Sequence, residues 1–216
     1  MNVAIIGTGN MGAGLARLLA CKGIHLSIGH RDPARAAALA QEIGEGVEGG
    51  GIAAVTALAD MVILAVPFDA VPAVVSDAGP LAGKILVDIT NPITGDYKAL
   101  TIGHTTSAAE EIRKAAPEAR VVKAFNTIFA AILPEATRED VAAVQVFIAG
   151  DDEGAKHAVA DLARKAGFEP VEAGPLSNAR LLEPIGEFNI HMGFFLGHGT
   201  SVAPAWIDTK TQHHGG

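Results

Sequence analysis

Three glycines near the start of the chain have the spacing G-x-G-x-x-G within the segment GTGNMG. An apolar run precedes them and a segment with helical spacing follows, which is the context that a phosphate-binding loop requires. Such glycines permit a tight turn, let a pyrophosphate approach the backbone, and let helix and strand pack closely. The alternative is a turn that only tightens a strand–helix joint. The context favours dinucleotide binding by the whole segment, which comprises Gly7, Thr8, Gly9, Asn10, Met11 and Gly12.

A second group of candidate residues, His30, Arg31 and Arg35, follows the next apolar segment, IHLSIG. In NAD-binding proteins an acidic side chain near this point usually binds the adenosine ribose. Guanidinium groups instead offer forked donors that match phosphate oxygens. We therefore predict a 2′-phosphate, and hence NADP rather than NAD, with the Thr8 hydroxyl as a further donor. The alternative is that both arginines are solvated charges at a helix start and that Asp32 reaches back to the ribose.

The carboxyl ends of three later apolar segments, AVPFD, DITNP and KAFNTI, should line the same crevice. Small residues, prolines and neutral polar groups there would let a flat ring approach. We predict cofactor contacts from Ala65, Val66, Pro67, Asn91, Pro92 and Asn126. Asp88 is a possible acid or base, but we expect it to satisfy loop amides. We expect Lys123 to be a surface or phosphate-facing charge.

The lack of an obvious proton donor in these segments bears on the reaction. Reduction of a ketone needs a positioned acid, whereas hydride transfer to a flavin-type ring depends mainly on stacking geometry. The sequence therefore favours a flavin-like acceptor and no catalytic side chain. Hydroxyacid and 6-phosphogluconate-type dehydrogenases add a helical domain with a catalytic lysine, and too few residues follow the predicted sheet here to form one.

The elements that must position these residues alternate between apolar strand-like and helical segments. This order predicts an α/β fold, a doubly wound and mainly parallel sheet of the Rossmann type with about seven or eight strands. Asp32 before Pro33 should cap one helix, and Ser107 with Glu110 three residues later should cap another.

We predict an NADP-binding domain over residues 1–173. A C-terminal helical segment over 174–216 would complete the acceptor site and a subunit interface. Within it we expect a helix in 175–199, broken near Pro184.

Composition limits the partners of the chain. Its 216 residues are 49% hydrophobic and 19% charged, with mean hydropathy +0.31, net charge −8 and pI about 5.4. An acidic chain of this kind is not expected to bind nucleic acid or membrane. The only cysteine, Cys21, lies in an apolar helical pattern, so we expect it in the core and expect no internal disulfide. With no signal-peptide or membrane-span pattern, these features predict a cytoplasmic protein.

Histidines and aromatic residues near the C-terminus suggest an interface rather than a metal site. His191 and His198 lie seven residues apart with no third ligand at suitable spacing, so we predict packing and no metal. The apolar stretch FNIHMGFFLG, residues 188–197, is predicted to form a subunit interface, and the alternative is that it covers the chain's own sheet edge. His213 and His214 fall in a polar tail that we expect to be exposed.

Four motifs in this order, GTGNMG, GHRD, VKAFNTI and AGPLSNARLLEP, resemble the F420-dependent NADP oxidoreductase family. The resemblance extends from Val3 to about Gly199, and GPLSNARLLE is its most specific part. It implies a small, commonly dimeric Rossmann protein that moves hydride between NADP(H) and the deazaflavin F420. It also implies that Thr8 and the group after the second strand hold the 2′-phosphate. The acceptor ring would be flanked by Asn126, Thr127, Ile128 and Ala130.

Two departures leave the acceptor open. Archaeal F420 enzymes carry a histidine at the position of Asn126 and a proline at that of Phe129. The form VKAFNTI is equally similar to the NADPH-binding domain of the STEAP metalloreductases, which reduce a flavin. F420, FMN and FAD therefore all stay possible acceptors. An NADPH-binding redox sensor without turnover and a reductase of a small carbonyl or imine are the alternative functions.

Overall fold

Eight strands form one sheet in the computed structural model, which describes residues 1–44, 46–137 and 143–209. In chain order the strands are β1 (Val3–Ile6), β2 (Leu26–His30), β3 (Val47–Gly51), β4 (Met61–Leu64), β5 (Ile85–Asp88), β6 (Arg120–Lys123), β7 (Gln145–Gly150) and β8 (Glu169–Glu172). Their spatial order is β3-β2-β1-β4-β5-β6-β7-β8. Every neighbouring pair is parallel except β6 and β7. This confirms the predicted doubly wound, mainly parallel α/β sheet.

Helices cover both faces of this sheet. The α-helices of the described residues are α1 (Asn10–Cys21), α2 (Pro33–Ile43), α3 (Ile52–Leu58), α4 (Val71–Asp77), α5 (Ala108–Ala115), α6 (Glu153–Lys165) and α7 (Ala179–Ile190). Short 3₁₀ segments occupy Phe68–Ala70, Ala130–Thr137 and Leu176–Asn178, and a π-helical turn at His191–Phe195 continues α7. No described helix has the length and apolar character needed to cross a membrane.

The core lies in two layers because successive residues of a strand point to opposite faces. Ile5, Ile63 and Val87 contribute to one apolar cluster, while their neighbours Ala4, Val62 and Leu86 contribute to the other. Strands that are buried on both faces need continuous apolar sequence, which explains the uninterrupted runs in β1 and β4. The centre of the sheet is therefore a rigid support for the loops at its edge.

Two local predictions about helix ends are confirmed. Asp32 precedes α2, and its Oδ1 accepts a hydrogen bond from the Ala34 amide at 3.1 Å, while Pro33 occupies the first helical position. Ser107 precedes α5, and its hydroxyl accepts from the Glu110 amide at 3.2 Å. Side-chain caps of this kind satisfy amides that have no partner inside the helix.

Two other predictions are wrong. Cys21 is exposed, because it lies four residues after the exposed Arg17 and shares the outer face of α1. Helix α7 also continues through Pro184 without a break. Proline removes only one helical hydrogen bond, and the neighbouring residues Leu182 and Gly186 are buried, so tertiary packing holds the helix. The predicted boundary between 173 and 174 stays a prediction, and His213 and His214 lie outside the described residues.

Candidate active site

The glycine loop lies between β1 and α1, at the point where the strand order reverses. Gly7 has φ +121°, and a Cβ added there would lie 2.2 Å from the Ala65 carbonyl oxygen. A Cβ at Gly12 would lie 2.2 Å from the Gly7 carbonyl oxygen. At Gly9, by contrast, an added Cβ would meet no atom within 4 Å. The fold therefore needs glycine at positions 7 and 12, whereas glycine at position 9 leaves open space beside the backbone.

Two predicted cofactor contacts, Ala65 and Val66, follow β4 and lie directly beside this loop. The Ala65 amide donates to the Ile6 carbonyl at 2.8 Å, which fixes the residues after β4 against the end of β1. Val66 Cγ1 would lie 3.2 Å from a Cβ at Gly7. Pro67, the third residue of this predicted set, is exposed. The structure thus brings the ends of β1 and β4 together at the switch point where doubly wound sheets bind ligands.

The cationic corner, defined as His30, Arg31 and Arg35, lies at the end of β2 and the start of α2. The Asp32 amide lies 3.0 Å from His30 Nδ1, so Nδ1 accepts this bond and Nε2 is left for another partner. Both arginines are exposed, and the described part of the chain gives neither guanidinium a hydrogen bond or ion pair. Asp32 directs Oδ1 to the helix amide, as the capping interpretation requires.

An amide pair, Asn91 with Asn126, joins the residues that follow β5 and β6. Asn126 Nδ2 donates to Asn91 Oδ1 at 2.9 Å, and Asn91 Nδ2 donates to the Asn126 carbonyl at 2.8 Å. Asn126 Nδ2 also donates to the Leu182 carbonyl on α7 at 2.9 Å. Both Nδ2 protons of Asn126 are therefore committed, and its Oδ1 has no donor among the described residues.

Phe125 sets the orientation of Asn126. Its φ of 59° lies in the left-handed region, although its side chain is buried and packs edge-on against Phe168 with ring centroids 5.8 Å apart. A bulky residue in this conformation costs on the order of 1 kcal/mol or more and persists only where its surroundings over-determine it. The reversal turns the chain back after β6, so that Asn126 meets Asn91.

A cavity of about 170 Å³, called here the crevice cavity, opens beside the amide pair. The Asn126 and Thr127 side chains are 5% and 1% exposed, and neither Asn126 Oδ1 nor Thr127 Oγ1 has a partner in the described ranges. Buried oxygens without donors are costly, so these two favour a ligand or water that donates hydrogen bonds. The lining brings predicted cofactor and acceptor residues together and comprises Met11, Ile89, Asn91, Phe125, Asn126, Thr127, Ile128, Phe129, Ala130, Gly186, Asn189 and Ile190.

A larger groove of about 900 Å³ begins at the glycine loop. It includes Thr8, Gly9 and Asn10, runs along α1, and reaches the 3₁₀ segment that begins with Ala130. Ala130 lines both the groove and the crevice cavity. Pro92 is buried and lines neither of them, and its carbonyl accepts from the Thr101 amide within its own loop. Of the predicted residues, the groove is lined by Thr8, Gly9, Asn10 and Ala130, and the crevice cavity by Met11, Asn91, Asn126, Thr127, Ile128 and Ala130.

Sequence reasoning missed a buried ion cluster of Asp88, Lys123 and Glu183. Lys123 is 0% exposed, so its predicted place at the surface or at a phosphate is wrong. Its Nζ donates to Asp88 Oδ2 at 2.8 Å, to Glu183 Oε1 at 2.8 Å and to the Thr90 carbonyl at 2.6 Å. Asp88 also accepts from the Thr90 amide at 2.8 Å, which confirms its predicted bond to a loop amide.

Glu183 connects α7 to the start of α5. Its Oε2 accepts from the Ala108 amide at 3.0 Å and its Oε1 from the Ala109 amide at 3.3 Å. Burial raises the pKa of Glu183, and the Lys123 ammonium and these backbone bonds act against that rise. A lysine that ends an apolar strand, and a glutamate flanked by leucine and proline, are the sequence signals that could have indicated this cluster.

A second link between the same two helices is an ion pair of Arg180 with Glu110. Arg180 Nε donates to Glu110 Oε2 at 2.8 Å, and Nη2 donates to Oε1 at 2.6 Å. The bidentate guanidinium holds the pKa of the Glu110 carboxyl below its usual range. The block GPLSNARLLE, whose resemblance to known proteins is the most specific, is therefore the segment that docks α7 on the sheet domain.

A glycine loop at the switch point of a doubly wound parallel sheet defines a dinucleotide-binding protein of the Rossmann class. A family model described as "NADP oxidoreductase coenzyme F420-dependent" matches residues 2–92. The F420-dependent NADP reductase of Methanothermobacter thermautotrophicus is 33% identical over 201 residues, covering 86% of this chain and 86% of that protein. The chain belongs to the family of F420-dependent NADP oxidoreductases.

Two further comparisons agree with this assignment. A crystal structure from Arthrobacter sp. FB24, of a candidate F420-dependent NADP reductase, has a TM-score of 0.82 and 32% identity, covering 92% of this chain and 96% of that one. The metalloreductase STEAP3 of Rattus norvegicus is 34% identical over 189 residues. The match covers 85% of this chain but 36% of STEAP3, so the chain spans about a third of that relative's length.

Proposed function

We propose that this protein transfers hydride between NADP(H) and a deazaflavin, F420, or a flavin-type acceptor such as FMN or FAD. The observation that carries the proposal is the chemistry of the crevice cavity. Its lining consists of apolar side chains together with amide and hydroxyl groups, and no described residue that lines it is titratable. Asp88 and Lys123, which could have supplied a proton, are held in the buried ion cluster instead. Such a site suits ring-to-ring hydride transfer, whose chemistry the two cofactors carry.

The residues at the other end of the crevice fit NADP. The open space at Gly9 and the uncommitted guanidinium groups of the cationic corner are what a pyrophosphate and a 2′-phosphate need. We propose that Gly7 to Gly12 hold the pyrophosphate, with Thr8 and the cationic corner on the 2′-phosphate. When bound, NADPH would supply a hydride from its nicotinamide ring. The residues proposed to lie toward that ring are Ala65, Val66, Pro67, Asn91, Pro92 and Asn126.

We propose that the acceptor ring is flanked by Asn126, Thr127, Ile128 and Ala130. The unpartnered Asn126 Oδ1 accepts hydrogen bonds and the unpartnered Thr127 hydroxyl both accepts and donates, so a ligand edge that presents an N–H beside a carbonyl would satisfy both. The pyrimidine edge of flavins and deazaflavins carries such a group between two carbonyls. Apolar neighbours such as Ile128 would exclude water from the ring face, which favours stacking and direct hydride transfer.

The acceptor is tested by NADPH oxidation against F420, FMN, FAD and ferric chelates. We expect turnover with at least one of the ring acceptors. The control is NADPH binding, measured from the nucleotide's fluorescence in the same preparation, which shows that the protein is folded and binds its proposed cofactor. A protein that binds NADPH but oxidises it with no member of the panel would contradict the proposed reaction and favour a sensor.

We propose that the protein is a homodimer whose interface is formed by residues 188–197, at the C-terminal end of α7 and in the π-helical turn that follows it. Within this stretch Phe188, Phe194 and Leu196 are 62%, 61% and 61% exposed. Large apolar side chains grouped in this way are typical of subunit interfaces. We expect the wild-type protein to sediment as a dimer and Phe188→Asp to sediment as a monomer. Leu58→Asp is the matched control, because Leu58 is 67% exposed on α3, and a wild-type monomer would contradict the proposal.

A further inference from the structure

The Lys123 ammonium has three protons, and each has an acceptor. The acceptors come from three places: Asp88 at the end of β5, the Thr90 carbonyl in the following loop, and Glu183 on α7. A buried ammonium is tolerated only when it is paired and fully hydrogen-bonded. Because all three bonds are needed, Lys123 fixes the loop and the helix relative to β6, on which it lies.

Two of these three bonds lead directly to the amide pair. Thr90, whose carbonyl accepts from Lys123, is followed by Asn91. Glu183 follows Leu182, whose carbonyl accepts from Asn126. The ion cluster and the amide pair are therefore consecutive layers that join the same three segments. A shift of Glu183 would be transmitted through one peptide unit to the partner of Asn126.

Helix α7 packs so closely against the amide pair that no space is left between them. A Cβ added at Gly186, one turn after Glu183, would lie 2.6 Å from Asn91 Oδ1 and 2.9 Å from the Asn126 carbonyl oxygen. Contacts this short mean that the helix backbone already lies against the two asparagines. Any change in the docking of α7 near Glu183 must therefore move the amide pair or open a gap beside it.

We propose that Lys123 and Glu183 are positioning residues, whose ion pair sets the distance of α7 from Asn91 and Asn126 and so the shape of the crevice cavity. The inference rests on the proposed function in one respect, namely that an acceptor binds there. The two side chains do not line the cavity and act only through the amide pair. Their loss should therefore affect the acceptor more than NADPH. The proposed acceptor site lies wholly beside the amide pair, whereas NADPH meets that pair only with its nicotinamide ring and is also held at its proposed phosphate sites at β1 and β2.

The chain supplies a matched comparison on the same two helices. Glu110 and Glu183 are both buried carboxylates that link α5 to α7, but Glu110 pairs with Arg180 and has no bond to Lys123, Thr90 or the amide pair. Glu110→Gln therefore weakens the docking of α7 on α5 and leaves the Lys123–Glu183 ion pair and the amide pair unchanged. In Glu183→Gln the new amide must direct its N–H₂ at the Lys123 ammonium or the Ala108 amide, both of which are donors.

We expect Glu183→Gln to raise the KM of the acceptor on the order of tenfold, because a misplacement of binding groups by about 1 Å can cost up to about a hundredfold. The Kd of NADPH should change less than about twofold, which corresponds to roughly 0.4 kcal/mol. Glu110→Gln should lower Tm and leave the acceptor KM near the wild-type value. Equal changes in KM for both variants, or no change for Glu183→Gln, would overturn the proposal.

Two further measurements keep the test decisive. Gly186→Ala displaces the amide pair without touching the ion pair, so it should reproduce the raised acceptor KM even if Glu183→Gln does not fold. In ¹⁵N-labelled protein, the side-chain NH₂ signals of Asn91 and Asn126 should shift in Glu183→Gln and stay in place in Glu110→Gln. If the wild-type protein reduces no acceptor, the proposed function fails. The NMR result then still decides the positioning role, and unshifted amide signals would overturn it.

Discussion

Gly9→Ala is expected to weaken NADPH binding on the order of a hundredfold, or about 2.7 kcal/mol, without lowering Tm. A Cβ at position 9 meets no atom of the protein within 4 Å, and φ and ψ there are −73° and −177°, which alanine adopts freely. The added methyl group therefore leaves the fold intact and occupies only the space that the pyrophosphate needs. Titration of NADPH fluorescence and a thermal melt of the same sample check both parts.

Gly12→Ala is the matched control for this experiment. Its Cβ would lie 2.2 Å from the Gly7 carbonyl oxygen, so the backbone itself must move and Tm should fall. The two substitutions thus separate a glycine needed by the ligand from a glycine needed by the fold. NADPH binding to Gly9→Ala with wild-type affinity would mean that no phosphate approaches this loop.

Replacement of both Arg31 and Arg35 by serine is expected to raise the Kd of NADPH roughly 30- to 100-fold and to leave that of NADH nearly unchanged. Hydrogen bonds to charged groups contribute about 1.5–3 kcal/mol each when they are shielded from solvent. The exposure of both arginines reduces their joint contribution to about 2–2.7 kcal/mol. Only NADPH carries the 2′-phosphate, so the loss should fall on one cofactor. Binding titrations with both nucleotides measure it.

Arg164→Ser is the control for a loss of positive charge, because Arg164 is exposed on α6 and pairs with Asp161 at 2.8 Å. It should change neither Kd. If the double substitution weakens the binding of NADH and of NADPH equally, the arginines act through the general electrostatic potential. If it weakens neither, they are solvated charges at the start of α2, and the choice of NADP needs another explanation.

What the sequence predicted well depends on neighbours in the chain. The cap at Asp32 and the strained turn at Gly7 follow from residues within a few positions, so composition and spacing reveal them. The doubly wound, mainly parallel sheet follows from the alternation of strand-like and helical segments. Because the carboxyl ends of such strands line one crevice, the sequence also placed Asn91 and Asn126 together.

What the sequence did not predict depends on how distant segments dock. Lys123 and Glu183 are 60 residues apart, and the sequence around either residue does not indicate that they pair. The left-handed backbone conformation of Phe125 could not be predicted either, because bulky residues rarely adopt it and no sequence motif indicates it. The crevice segments could therefore be assigned from the sequence, whereas the orientation of their side chains could not.

The long separation within the buried ion cluster has a consequence for protein synthesis. As the chain leaves the ribosome, Asp88 emerges before Lys123, whereas Glu183 emerges 60 residues after it. Until α7 docks, the ammonium lacks its second carboxylate and its third proton must be solvated. The nucleotide loop, formed by β1 and α1, has no such delay. The cofactor end of the crevice is therefore expected to mature early in translation, and the cavity beside the amide pair to mature only when the last helix has been made.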